Sequence, residues 1–239
     1  MEVIFERYAA FAIAVKTQHA YERTLRWEKR DDATVSRLLE KVIAGQELDG
    51  EEKLCLGDWC LARGAELAAK HGLPIKIHTG HYAGNGWMPM ERIRPSLLAG
   101  LLSEYPQTRF VLMHIGYPYG DELVSLAKHY PNAWVDMCWA WSIDPFAARD
   151  FLRRMLHAVP SNKLCVFGGD AFYPIVAVGY ALQTRQWLLR TLEVEIHEGF
   201  LTEKQAIHLA LRWMRQNQEA CFDLSGTRAA LRSASPRTP

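Results

Sequence analysis

The sequence predicts an α/β fold built around a parallel sheet, and two patterns support this prediction. Apolar segments that favour strands alternate along the 239-residue chain with longer segments of helical periodicity. The strand segments are continuous apolar runs, which are typical of parallel strands that are buried on both faces. Strand–helix alternation then implies right-handed βαβ crossovers. This spacing is compatible both with an open doubly wound sheet and with a barrel.

The predicted elements follow one another in a regular order. Strands are expected at residues 10–16, 74–78, 109–115, 133–137 and 163–169. Helices are expected at residues 34–44, 51–71, 95–105, 120–130, 145–157, 174–197 and 203–220. We interpret residues 1–224 as a single α/β domain. Residues 225–239, "SGTRAALRSASPRTP", are predicted to form a flexible C-terminal tail.

Charge and cysteine content narrow the classes of function. The formal net charge is +1, from 28 Lys+Arg against 27 Asp+Glu, which gives no electrostatic reason to expect nucleic acid or an anionic membrane as a partner. The chain has no apolar run of about 18 residues, so no membrane-spanning helix is expected. The five cysteines lack paired CxxC spacing, and we interpret them as buried free thiols in a reducing cytoplasm.

Four predicted strands end on a residue that does not belong in an apolar core. These residues are Lys16, His78, His114 and Asp170. In α/β folds the carboxyl ends of the parallel strands meet at one edge of the sheet, and ligands bind there. We therefore expect the four side chains to point into one site, although they lie far apart in the sequence.

The residue types in this set point to metal chemistry. Neutral imidazole and carboxylate groups are ligands for zinc and similar divalent metals, and an aspartate can also accept the proton of an attacking water. A histidine at a strand end, however, often makes only a structural hydrogen bond. Lys16 is open to three roles, as a substrate-binding cation, a carbamylated metal ligand or a surface lysine. His81 is a candidate substrate residue or an ordinary loop histidine, and the histidines of helices and other loops are expected to be solvated.

Several segments resemble the amidohydrolase-related branch of the amidohydrolase superfamily, whose members are (β/α)8 TIM-barrel enzymes. The segments are "IKIHTGH", "FVLMHIGYP" with the downstream "YPNAWVDMCWAW", and "NKLCVFGGDAF", and the resemblance extends over about residues 10–224. It implies that His78 ends the fifth barrel strand, His114 the sixth and Asp170 the eighth. In this family such residues bind or serve a divalent metal, and zinc is the expected ion.

The chain departs from the family pattern at its start. The family's first strand carries an HxH pair, and this sequence contains no HxH. The resemblance therefore implies an incomplete barrel that covers about strands 4 to 8. Five strands would leave two open sheet edges, and unpaired edges predict a homo-oligomer.

The resemblance implies a metal-dependent hydrolase that acts on a small polar or carboxylate-bearing substrate. Asp170 would be the general base, and His114 would be a metal ligand or would polarise the substrate carbonyl. The segment "VKTQHAYERTL" is similar to a fourth-strand segment of this branch, which implies that Lys16, Tyr21 and Arg23 face the substrate. Two alternatives remain, a non-hydrolytic lyase, decarboxylase or isomerase on the same site, and a catalytically inactive remnant.

Overall fold

A five-stranded parallel sheet, whose strands lie side by side in chain order, forms the centre of the fold. The computed structural model describes residues 1–84 and 86–234. The strands are β1 Val15–Thr17, β2 Ile75–Ile77, β3 Phe110–Met113, β4 Ala133–Asp136 and β5 Leu164–Cys165. Each neighbouring pair is parallel. The order β1-β2-β3-β4-β5 is the order of consecutive strands in a (β/α)8 barrel, whereas a doubly wound sheet reverses direction at a switch point.

Helices connect the strands and cover one face of the sheet. The α-helices are α1 Glu2–Tyr8, α2 Asp32–Ile43, α3 Gly50–Lys70, α4 Ala99–Glu104, α5 Gly120–His129, α6 Ala140–Ile143, α7 Pro145–Ala158, α8 Pro174–His197, α9 Glu203–Leu211, α10 Asn217–Cys221 and α11 Leu224–Ser233. A π-helical segment, Arg212–Gln216, joins α9 to α10. Capping boxes at Asp49 and Thr202 begin α3 and α9.

The structure confirms the alternation of strands and helices and corrects it near the N-terminus. The predicted strand at residues 10–16 is too long, because only Val15–Thr17 is extended as β1. A 3-10 turn, Ala9–Phe11, and helix α1 precede it. Phe11 and Ile13 are 46% and 44% exposed, so this apolar run is not a buried strand. Apolar composition alone therefore misassigned a segment at the margin of the sheet.

The helix-covered face of the sheet forms the main hydrophobic core. Its side chains include Ile75, Ile77, Phe110, Leu112 and Val135, each at most 1% exposed. They pack with apolar residues of the surrounding helices into one cluster. Burial of a large apolar side chain stabilises a fold by about 1.5–3 kcal/mol, so this layer holds the strand ends in place.

The C-terminal segment covers the opposite face of the sheet. Val111 and Cys165 form a second buried cluster there with Cys221 and Phe222, which lie at the end of α10. Lys76 is in register with Val111 on the same face, and its Nζ lies 5.5 Å from the centre of the Phe222 ring. Since side chains alternate between the two faces of a strand, Lys16 of β1 and His78, which directly follows β2, are also on this face.

The C-terminal helices also cover the outer edge of β5. The backbone N–H of Val166 donates to the carbonyl of Trp213, in the π-helical segment, at 3.1 Å. The amide of Asn217 donates to the carbonyls of Leu164 at 2.7 Å and Ser161 at 2.8 Å. The expectation of two open sheet edges is therefore wrong at β5, because groups of the same chain satisfy the polar atoms of this edge.

Helix α11 lies where the sequence predicts a tail. The Thr227 hydroxyl of this helix donates to the carbonyl of Ala12 at 3.2 Å, which links the two ends of the chain. Residues 235–239 of the predicted tail lie outside the described residues. The single domain over residues 1–224 and the flexibility of residues 225–239 stay predictions. Among the described residues, no helix is long and apolar enough to cross a membrane.

Candidate active site

The structure brings together the four side chains that the sequence places at strand ends. His78 Nδ1 lies 3.1 Å from His114 Nε2, and His114 Nε2 lies 3.4 Å from Asp170 Oδ2. Lys16 Nζ donates to Asp170 Oδ1 at 2.7 Å. The four residues thus form a continuous chain of contacts from β1 to the segment after β5, and we call them the strand-end cluster.

Backbone carbonyls assign the tautomers of the two histidines. Nε2 of His78 lies 3.1 Å from the carbonyl of His81, and Nδ1 of His114 lies 2.8 Å from the carbonyl of Cys138. A carbonyl oxygen can only accept, so each of these nitrogens carries the proton. Nδ1 of His78 and Nε2 of His114 therefore face each other with their lone pairs.

Burial keeps the imidazole rings of His78 and His114 neutral near neutral pH. Burial, with a further contribution from His114, lowers the pKa of His78 to about 3. Burial also lowers the pKa of His114, which is 0% exposed. Near neutral pH the space between the two rings therefore contains two acceptor nitrogens and no proton to bridge them.

Asp170 brings a negative charge to the same place. Burial raises the pKa of its carboxyl, but the hydrogen bond from Lys16 and the nearby His114 outweigh this effect, so the net pKa is lowered. The carboxylate is ionised near neutral pH, and its side chain is 25% exposed. Asp170 is therefore an ionised group that solvent and a small substrate can reach.

Glycines allow the loops after β2 and β3 to meet. Gly80 has φ +69°, and a Cβ on it would lie 2.4 Å from the backbone carbon of Gly116. Gly116 has φ +60°, and its Cβ would lie 2.4 Å from Pro95 Cγ. The N–H of His81 donates to the carbonyl of Tyr117 at 2.7 Å across this contact. The apolar strand β2 therefore ends on His78 and a glycine because the imidazole enters the site and the next turn must pass another backbone closely.

Aromatic rings line the cluster. The Tyr21 ring packs edge-on against His78 with centroids 4.9 Å apart, and the Trp139 ring packs edge-on against His114 at 5.5 Å. Trp139 also lies 6.1 Å from the His81 ring. The sequence favours aromatic core over pocket lining for Trp139, whereas the ring lies beside the two histidines, just after β4.

A second ion pair, between Lys76 and Asp136, is connected to His114 through the backbone of Cys138. Lys76 Nζ donates to Asp136 Oδ2 at 2.6 Å, and the N–H of Cys138 donates to Asp136 Oδ1 at 2.8 Å. The carbonyl of Cys138 in turn accepts from His114. Sequence analysis missed this pair. The carboxylate inside the otherwise apolar segment "AWVDM" is the signal that could have found Asp136.

Arg23 uses its guanidinium to bind a buried carboxylate and backbone carbonyls. Its guanidinium donates to Asp58 Oδ1 at 2.6 Å and to the carbonyls of Arg26 at 2.7 Å and Leu54 at 3.2 Å. Asp58 is 1% exposed, and a buried carboxylate requires such partners, which Arg30 also provides. Arg23 therefore has a structural role at Asp58, and Tyr21 and His81 lie beside the cluster; the substrate-binding roles of all three stay predictions.

Two histidines that were expected to be solvated have defined partners. His19 Nδ1 lies 2.9 Å from the Thr17 hydroxyl, and burial lowers the pKa of this histidine to about 4. His157 Nε2 lies 2.8 Å from the carboxylate of Glu195, which is 0% exposed. The side chain of His157 is nevertheless 46% exposed, as expected, so burial departs from the expectation at His19 and not at His157.

The donor types of the strand-end cluster suit a divalent metal, although the set is not a complete site. Within residues 1–84 and 86–234, no group of three or more His, Cys, Asp or Glu side chains is arranged so that it could hold a metal ion as it stands. The two free imidazole lone pairs and the Asp170 carboxylate are nevertheless the ligands that zinc prefers. Two ligands of one zinc ion lie roughly 3.3 Å apart, given bonds of about 2.0–2.1 Å at tetrahedral angles. The spacings of 3.1 Å and 3.4 Å in the cluster are close to this value.

Comparison with known proteins places the chain in a family. It is 27% identical over 227 residues to Protein fluG of Emericella nidulans, a match that covers 89% of this chain and 26% of that protein. Among solved structures, a metal-dependent hydrolase-like protein from Lactobacillus casei has a TM-score of 0.74 at 20% identity, with 94% of this chain and 60% of that chain covered. Glucuronate isomerase from Caulobacter crescentus has a TM-score of 0.75 at 18% identity, with 95% and 49% covered.

The structural matches show the fold, and the coverages show what share of each related protein this chain spans. At 18–20% identity the structural matches show the fold alone, and they identify the five-stranded α/β unit as an incomplete TIM barrel. The chain spans about a quarter of the length of the curated relative and 49–60% of the two solved structures. A family model described as amidohydrolase matches residues 7–205. The chain therefore belongs to the amidohydrolase family.

Proposed function

We propose that the strand-end cluster is the active centre of a hydrolase that acts on a small polar or carboxylate-bearing substrate with a divalent metal, zinc in the first place. The observation that carries this proposal is the convergence of His78 Nδ1, His114 Nε2 and Asp170 Oδ2. These three acceptor atoms come from three strand ends and have no proton between the rings. Such an arrangement suits a bound cation.

The residues of the cluster would have different roles in the reaction. His78, His114 and Asp170 would hold the metal, which when bound polarises a carbonyl oxygen and makes water acidic near neutral pH. Asp170 is ionised and partly exposed, so it can accept the proton of the attacking water. The carbonyls of His81 and Cys138 keep both histidines in the tautomers that this role needs.

The surroundings of the cluster favour a small anionic substrate. Lys16 is the cation of the cluster, and its side chain is 35% exposed, so it can pair with a substrate carboxylate. Tyr21, His81 and Trp139 provide flat ring surfaces beside the histidines. We therefore keep Lys16, Tyr21 and His81 as substrate-binding residues and omit Arg23, whose donors are used by Asp58 and backbone carbonyls.

The ion pair between Lys16 and Asp170 supports a second candidate function. It places a positive charge inside the cluster that does not depend on a metal. A non-hydrolytic lyase, decarboxylase or isomerase could use the same residues, and the name of the similar Caulobacter crescentus protein belongs to the isomerase class. An inactive remnant is the third possibility. Esters, lactones, β-keto acids and uronates, tested as substrates of the purified chain, distinguish these functions.

Metal binding tests the proposal without a known substrate. We expect calorimetric titration with zinc to show weak or sub-stoichiometric binding, because a site with few protein ligands holds metal loosely. His78→Ala should weaken this binding further, whereas His129→Ala, at an exposed position on α5, should leave it unchanged. Equal binding by both variants would contradict the assigned ligand set.

Asp170→Asn tests the general base. On any substrate that the chain turns over by hydrolysis, this substitution should reduce kcat by roughly a hundredfold or more, which is the usual scale for loss of a general base. Asp150→Asn is the matched control, because Asp150 is exposed on α7. Full activity of Asp170→Asn would show that another group accepts the proton.

The cysteines and the net charge bear on the compartment and the partners of the protein. All five cysteines are free in the structure, which supports a reducing compartment, and we propose the cytoplasm. The partner we propose is a small-molecule substrate, together with a second copy of the chain. The balanced charge gives no reason to propose nucleic acid or a membrane surface.

A further inference from the structure

Helix α8 exposes a row of large apolar side chains. Ile175, Val178, Leu182 and Leu189 are 75%, 54%, 55% and 59% exposed. Their spacings of three, four and seven residues place them along one side of the helix. An exposed row of several large apolar side chains on one helix is unusual for a monomer and marks an interaction surface.

The row continues into a groove between α8 and α9. The groove has a volume of about 810 Å³, and Leu192 and Ile196 of α8 face Ile207 and Leu211 of α9 across it. Ile207 and Leu211 are 56% and 58% exposed. The apolar face is therefore wider than a single helix and can receive a helix laid against it.

Two of the charged residues that line the groove, Arg185 and Glu193, are spaced symmetrically about Leu189, and Glu203 and Arg215 line it as well. Arg185 lies four residues before Leu189, and Glu193 lies four residues after it, so that the three side chains share one side of α8. Both charged residues are exposed and line the groove. In the part of the chain that the structure describes, the ion pairs include neither Arg185 nor Glu193.

We propose that this face is a homodimer interface in which α8 packs antiparallel against α8 of a second copy, with Leu189 at the two-fold axis. A two-fold axis at residue 189 places Arg185 of each copy opposite Glu193 of the other. The same axis places Leu182 opposite Ile196 of the second copy. Self-complementarity of this kind is the requirement of an isologous interface, in which residue i meets j and j meets i.

Two charge-reversal variants, measured separately and then mixed, test this arrangement. Arg185→Glu and Glu193→Arg should each raise the dimer Kd by about tenfold or more, because each brings like charges together twice in the dimer. An equimolar mixture of the two variants should form heterodimers with a Kd near that of the wild-type dimer, because opposite charges then meet at both positions. Sedimentation velocity over a range of concentrations measures all three values.

Replacement of exposed leucines by aspartate is the second test of the interface. Leu189→Asp should raise the Kd by about a hundredfold, because it places two carboxylates at the centre of the interface. Leu231→Asp changes an equally exposed leucine of α11 and should leave the Kd unchanged. Far-UV circular dichroism checks that each variant is folded. A wild-type chain that stays monomeric at its highest soluble concentration would overturn the proposal, and so would a mixture of the charge variants that fails to associate.

Discussion

At the scale of single residues, the site depends on positions where a side chain would not fit. Gly80 follows the first strand-end histidine at a distance of two residues and touches the backbone of the next loop. The N–H of Gly80 also donates to the carbonyl of Ile93 at 2.9 Å. A conformation with positive φ and a close backbone neighbour leaves glycine as the residue that fits without strain.

Gly80→Ala should therefore destabilise the protein by at least about 2 kcal/mol, because the new Cβ meets backbone atoms that cannot move independently. Urea denaturation measures this loss. Gly84→Ala is the matched control in the same loop, because nothing lies within 4 Å of its Cβ position. A change of similar size in both variants would show that the loop contact does not set the stability.

Asp136 is a second single residue that affects both the stability of the protein and the candidate site. It is 2% exposed and connects Lys76 on β2 to the turn that holds His114. Breaking a mostly buried ion pair by removing one charge is costly, because the remaining charge stays in a poorly solvated place. The pair therefore contributes to the position of His114 as well as to stability.

Asp136→Asn should lower the free energy of unfolding by about 2 kcal/mol, since it leaves Lys76 without its counter-charge. The double variant Lys76→Met/Asp136→Asn should recover part of this loss, because no unpaired charge remains. Asp121→Asn is the control, because this aspartate is 77% exposed, and it should change stability by less than about 0.5 kcal/mol. A neutral Asp136→Asn variant in urea denaturation would contradict this role.

At the scale of elements, the C-terminal helices take the place of a neighbouring strand at β5. Asn217 and the carbonyl of Trp213 occupy the hydrogen-bonding positions of the strand edge. Trp213 lies in a π-helical segment, and a π turn departs from the usual backbone pairing of a helix. This arrangement protects one edge of an incomplete barrel against pairing with other chains.

Asn217→Ala should cost about 1–3 kcal/mol and increase aggregation, because it leaves the carbonyls of Ser161 and Leu164 without this donor. Urea denaturation gives the stability, and light scattering during heating gives the aggregation. Gln216→Ala, at the exposed neighbouring position, should behave like the wild type. If Asn217→Ala is as stable as Gln216→Ala, the edge does not need this cap.

At the scale of the whole molecule, ion pairs and the second core cluster tie the last helices to the sheet. Glu195 of α8 is fully buried and binds Arg153 and His157 of α7. Cys221 and Phe222 cover apolar side chains of the sheet. These contacts support the proposal that the chain folds as one unit rather than as a half-barrel with a separate C-terminal domain.

Limited proteolysis should therefore release no stable fragment that begins near residue 172. Gel electrophoresis with mass spectrometry identifies the fragments. Unfolding in urea should also give the same midpoint by tryptophan fluorescence and by far-UV circular dichroism, since one cooperative unit loses both signals together. A resistant fragment from about residue 172 onward, or two separate midpoints, would show two domains.

The sequence by itself determined the fold class and most of the site. The convergence of His78, His114 and Asp170 could be predicted because each directly follows an apolar segment, although β5 itself covers only Leu164–Cys165 of the strand predicted at 163–169, and because the carboxyl ends of parallel strands lie together in any α/β fold. That inference needs only local pattern and topology, so it holds without knowledge of packing. Helix α8 was likewise predicted over residues 174–197, because its length and composition are local properties.

Only the tertiary structure decided which polar groups meet. Arg23 pairs with Asp58 and Lys76 pairs with Asp136, across 35 and 60 positions of the chain, and the edge of β5 is covered from residue 217. Such partners depend on strand register and on the approach of distant elements, which local sequence patterns do not encode. The buried carboxylate of Asp58 engages Arg23 for this reason, because a buried charge must be satisfied wherever the fold places it.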